Sequence, residues 1–76
     1  MIINKNYINV KLLEKYKKNS ISQCKKCLSK ELDVTEKTIN NLIESKHISF
    51  KLLKRISKIL ELDIKKIFYG GDSYEN

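Results

Sequence analysis

Apolar residues recur at helical spacing along most of this chain, and short polar stretches divide them into segments. Ile8, Leu12 and Tyr16 stand four apart, Val10 and Leu13 widen the stripe, and Lys11, Glu14, Lys15, Lys17 and Lys18 fill the opposite side. That pattern predicts a first helix from Ile8 to about Asn19. The polar stretch NSISQ reads as a loop, after which Cys24, Leu28 and Leu32 mark a second helix of about two turns. Asp33 and Val34 then interrupt the period. Thr35 offers an N-cap hydroxyl, although Thr38 stands where a full capping box has Glu or Gln. A third helix follows, with Ile39, Leu42 and Ile43 inward and Glu36, Lys37, Thr38, Asn40 and Asn41 outward.

Ser49 can cap a fourth helix that buries Phe50, Leu53, Ile56 and Leu60, flanked by Leu52 and Ile59, and turns Lys51, Lys54, Arg55 and Lys58 to water. Asp63 can cap a short fifth helix, IKKIF. The tail YGGDSYEN pairs two glycines with few apolar residues and reads as loose. The expected organisation is therefore an N-terminal extension over 1–7, a helical domain over 8–68 and a flexible tail over 69–76. The segment MIIN has the composition to pair with the tail as a strand.

Composition narrows the class. A chain of 76 residues holds one core, and with no proline and two glycines it does not suit a turn-rich β-sandwich or barrel. An all-α fold is expected. The formal charge of +7 favours a polyanionic partner, nucleic acid ahead of an anionic membrane, because neutralising phosphates releases counterions. No apolar run has the length of a membrane span, and MIINKNYINV lacks the apolar stretch and cleavage site of a secretory signal. A cytoplasmic protein with reduced thiols and no membrane partner is expected.

Candidate chemistry is sparse. Cys24, Cys27 and His47 fall one short of the four ligands of a structural zinc site, so no metal or other cofactor is expected. Cys24, near the start of the second helix and several lysines, is open to redox chemistry, but a packing role for both thiols is the simpler reading. His47 reads as a surface or phosphate-side group. Without a glycine-rich phosphate loop or a nucleophile beside the single histidine, the chain is not expected to be an enzyme, and no small-molecule substrate is evident.

Two short helices joined by a tight turn, the second with a polar outer face, suggest a helix-turn-helix. With the motif starting at Lys25, its close-approach position falls on Ser29, its turn on Asp33 and its interior positions on Leu28, Leu32, Val34, Ile39 and Leu42. In CLSKELDVTEKTINNLIESK and SFKLLKRISKILELDIKKIF the chain resembles the Cro and phage-repressor type helix-turn-helix regulators, the XRE family, over roughly Ile8 to Phe68. The resemblance implies an all-α, five-helix lambda-repressor-like domain. Three features depart from it: Asp33 replaces the turn glycine, Ser45 and Glu61 replace glycines that close helices, and the loop before the second helix is longer.

The resemblance further implies that Thr35, Glu36, Lys37, Thr38 and Asn41 read bases, with Asn40 as a flanking contact. The chemistry is suitable: Lys37 can donate to guanine, Asn41 can bond adenine bidentately and Glu36 can accept from cytosine. Phosphates would be held by the N-terminus of the second helix with Lys25, and by Lys46 and Lys51. The implied protein is a sequence-specific transcriptional regulator, a repressor by expectation, that binds double-stranded DNA at a palindromic operator as a homodimer. Ile64, Ile67, Phe68, Tyr69 and the MIIN segment are the candidate dimer surfaces, and the core has an equal claim on all of them. An antitoxin-like adaptor whose main partner is another protein, and a nonspecific polyanion or membrane-surface binder, are the alternatives.

Overall fold

The computed structural model describes residues 2–69. In chain order they form strand β1 (Ile2–Ile3), helices α1 (Lys5–Tyr16), α2 (Ile21–Leu32), α3 (Glu36–Ile43) and α4 (Phe50–Leu60), a 3-10 turn (Ile64–Lys66) and strand β2 (Phe68–Tyr69). The fold is mostly helical, with one small two-stranded sheet. Residues 70–76, to which most of the expected loose tail belongs, lie outside the described residues.

Local hydrogen bonding explains where the helices begin. Side chains of Asn4, Ser20, Thr35 and Ser49 each accept the amide three residues ahead, satisfying one donor that the first turn leaves free. Asn4 therefore starts α1 three residues before Ile8. Ser20 likewise turns most of the expected NSISQ loop into the first turn of α2, which runs for 12 residues.

The expected fifth helix is a correction. Asp63 does cap it, with Oδ1 accepting from the Lys65 amide at 3.0 Å, but the bonds that follow span three residues: Lys66 N to Asp63 O and Ile67 N to Ile64 O. The chain then leaves for β2, so among the described residues no α-helical turn follows and the α-helices number four. The described part of the N-terminal segment is integral to the fold. Ile2 pairs with Tyr69 and Ile3 with Phe68 in an antiparallel register, which places Ile3 in the core at 2% exposure. On its other edge the Ile3 amide donates to Ser45 Oγ at 2.8 Å.

One core joins the elements: Ile8 and Leu12 of α1, Cys24, Leu28 and Leu32 of α2, Ile39, Leu42 and Ile43 of α3, and Leu52, Leu53, Ile56 and Leu60 of α4, with Ile3 and Ile67 beneath the sheet. Burial of such side chains is the main favourable contribution, at about 1.5–3 kcal/mol for each large aliphatic residue. Val10, Leu13 and Phe50 depart from the expected inward stripes and are exposed, Phe50 at 57%. Each lies beyond the edge of a stripe, and no second layer of described residues covers it.

Every helix is closed by a non-glycine residue at positive φ: Lys17 (54°), Asp33 (58°), Ser45 (63°) and Glu61 (56°). At three of these ends the bonding is of Schellman type, with Val34 N bonded to Ser29 O, Lys46 N to Asn41 O and Leu62 N to Ser57 O, so the last carbonyls are satisfied. A side chain in this conformation costs about 1–2 kcal/mol relative to a right-handed residue. The helices end tightly, but at strained positions.

Candidate nucleic-acid interface

Geometry between α2 and α3 is set by Ser29 and Asp33. Ser29 is buried, and its hydroxyl is satisfied by the Lys26 carbonyl at 2.8 Å, so a small polar residue sits in the core without an unmet bond. Its own carbonyl accepts the Val34 amide at 3.0 Å. Asp33, in the left-handed region, reverses the chain there, and Thr35 opens α3 two residues later. Asp tolerates that region better than most side chains.

Once α3 has buried Ile39, Leu42 and Ile43, its remaining face is polar. Glu36, Lys37 and Asn40 are exposed, and Thr38 and Asn41 are half-buried at the edges. Thr35 Oγ1 accepts the Thr38 amide at 3.1 Å and lies 2.9 Å from Thr38 Oγ1. Thr38 thus partly replaces the missing Glu or Gln of a capping box, and each hydroxyl has one bond already assigned. Neither Glu36 nor Lys37 forms an ion pair with a described residue. Five of the six residues expected to read bases therefore lie within or at the edge of this face, and Thr35 stands at its start.

The residues expected to hold phosphates are distributed less compactly. Lys46 and Lys51 are exposed, in the turn after α3 and in the first turn of α4. Lys25 is half-buried in the second turn of α2, because that helix starts at Ile21. Its expected place at the helix N-terminus is a correction: the exposed residues there are Ser22 and Gln23, and the Gln23 amide is already bonded to Ser20 Oγ at 3.2 Å. The signal was present in the sequence, since Ser20-Ile21-Ser22-Gln23 is an S-x-x-Q capping pattern.

The helical period alone turns Arg55 to water. Its Nη2 donates to the Leu32 carbonyl at 2.9 Å, tying α4 to the C-terminal end of α2 beside the turn. An open groove of about 460 Å³ lies there, with Val34, Thr38, Ser49, Lys51 and Arg55 among its walls.

Cys24 is fully buried, Cys27 is half-buried and both are free thiols. Among the described residues no group of three or more His, Cys, Asp and Glu side chains is placed to hold a metal ion. No described helix is long and apolar enough to cross a membrane. Tyr16 donates its hydroxyl to Glu31 across the α1–α2 contact. Burial first, and then the Glu31 hydrogen bond and charge, push its phenol well above the usual tyrosine range.

No protein-family model, curated protein or solved structure matches this chain.

Proposed function

We propose that the protein is a sequence-specific DNA-binding transcriptional regulator whose α2–turn–α3 unit is a helix-turn-helix of the lambda-repressor-like kind. One observation carries the reading: α3 buries one apolar stripe and presents Glu36, Lys37, Asn40 and Asn41 on the other side, beyond a turn that holds it against α2. A helix of about 10–12 Å diameter fits a major groove about 12 Å wide, where each base pair offers a distinct donor and acceptor pattern. Lys37, Glu36 and Asn41 bring three different chemistries to that edge. Lys46 and Lys51, in the turn after α3 and the first turn of α4, serve as phosphate contacts together with the exposed α2 N-terminus at Ser22, and the surplus of positive charge on the chain supports association with the duplex.

One α3 reads only a few base pairs, so the working form is a homodimer on two half-sites about one helical turn apart, and repression by occupancy is the expected mode. Of the candidate surfaces, Ile67 is buried and Phe68 half-buried, whereas Ile2, Ile64 and Tyr69 are exposed at 60%, 79% and 51%. Ile2 and Tyr69 are cross-strand partners facing away from the core, which favours this end of the sheet as the surface joining two copies. Selection of bound sequences from a random duplex pool tests the reading. Enrichment of a twofold-symmetric site supports it; a pool that stays flat, with random DNA bound as tightly as any selected sequence, contradicts it.

A further inference from the structure

The groove between α3 and α4 has two kinds of wall. Val34 and Leu52 supply apolar surface, while Lys51, Arg55 and the His47 ring supply cationic or hydrogen-bonding groups, joined by the hydroxyls of Thr38 and Ser49. None of the described residues lining it is acidic. Arg55 is held in place by its bond to the Leu32 carbonyl, which leaves other guanidinium N–H groups free of that bond. Ser49 Oγ takes the Leu52 amide, and the α4 N-terminus adds partial positive charge at the same end. At about 460 Å³ the groove falls in the range of small-molecule sites.

We propose that this groove binds a small organic anion, with a flat apolar body against Val34 and Leu52 and a single phosphate or carboxylate head toward Lys51 and Arg55. Charge complementarity selects an anion, and the apolar wall selects an organic one, because an inorganic ion would leave Val34 and Leu52 wet. Thr38 belongs both to this groove and to the base-reading face of α3. A bound ligand therefore competes with DNA, and the anion acts as an effector that releases the regulator; this second part rests on the DNA-binding reading above.

The test is a titration of the ¹⁵N-labelled full chain, free of DNA and at fixed ionic strength, with phenyl phosphate, inorganic phosphate and benzyl alcohol. Phenyl phosphate is expected to shift the amides of Thr38, Ser49, Lys51 and Leu52 saturably, at least tenfold more tightly than either fragment. Lys51→Gln and Val34→Ala are each expected to weaken it at least fivefold while the rest of the spectrum stays folded. No saturable shift, equal binding of inorganic phosphate, or unchanged affinity in both variants overturns the site. In a second arm, phenyl phosphate at concentrations that fill the groove should displace a fluorescent duplex. Unchanged duplex binding overturns the competition. A chain that binds no duplex at all overturns the DNA reading, and the amide titration still decides the groove.

Discussion

Arg55 Nη2 and the Leu32 carbonyl oxygen lie 2.9 Å apart, so a cation from α4 completes the C-terminal end of α2, immediately before the turn that aims α3. Asp33 N bonds Lys30 O and Val34 N bonds Ser29 O, so the turn is closed onto the end of α2 at the point where α4 is tied to it. Its geometry is fixed by carbonyls of α2 rather than by the outer side chains of α3.

Arg55→Met should keep most of the aliphatic packing and lose the bond. The expected loss is about 1 kcal/mol in urea unfolding, less than a buried charged hydrogen bond contributes because Arg55 is exposed. No change in the unfolding midpoint would mean that the bond does not hold the turn.

Glycine should relieve the strained helix ends. Lys17→Gly and Glu61→Gly are each expected to raise stability by about 0.5–1 kcal/mol, since the relief at positive φ exceeds the added freedom of the unfolded chain. Ser45→Gly should gain nothing, because it also deletes the Oγ that accepts the Ile3 amide. Thermal melts of the three variants separate the two outcomes.

The two cysteines should respond differently. Cys24 is expected to react with a thiol reagent only as fast as the protein unfolds, whereas Cys27 reacts in the native state. Cys24→Ser should destabilise by roughly 1–3 kcal/mol, as a smaller and more polar group replaces the thiol in the core. Equal native reactivity of the two thiols would argue against the packing role.

Tyr16 predicts an alkaline loss of stability. Its folded-state phenol is raised above the ordinary value of 10.0, so the native state holds the proton more tightly than the unfolded chain does. The stabilisation is complete below pH 10 and declines as the pH rises toward the folded-state value. Tyr16→Phe should flatten that decline relative to wild type in unfolding measurements above pH 10. Parallel curves for the two proteins would show that Tyr16 is not its source.

Much of this arrangement was legible in the sequence, because the inward residues of α2 and α3 and the caps Thr35 and Ser49 depend on spacing within one helix. Residues acting across the chain were not. Arg55 reaches Leu32 and Ser45 reaches Ile3 over 23 and 42 positions, distances that no local period reports. Pairing of Ile2–Ile3 with Phe68–Tyr69 could be expected only as one possibility, since two-residue strands leave almost no alternation to read. Phe50 illustrates the opposite error. It keeps the helical period, yet no described element lies over it and it stays exposed.

The division of labour at the interface gives a further prediction. Asn41→Ala should lose about 1–3 kcal/mol at one base position and relax preference there, while Lys51→Ala weakens all sequences alike and lowers the salt dependence by about one unit. Gel shifts over a set of operator variants distinguish the two patterns. Equal, sequence-independent losses in both variants would assign Asn41 to the backbone.

The central proposal, that the outer face of α3 reads DNA bases, is tested most directly by repeating the random-pool selection with wild type and Asn41→Ala side by side. One palindrome is expected from both proteins, with preference erased at a single position in each half-site for the variant. An Asn41→Ala protein that selects the wild-type site unchanged at every position would contradict it.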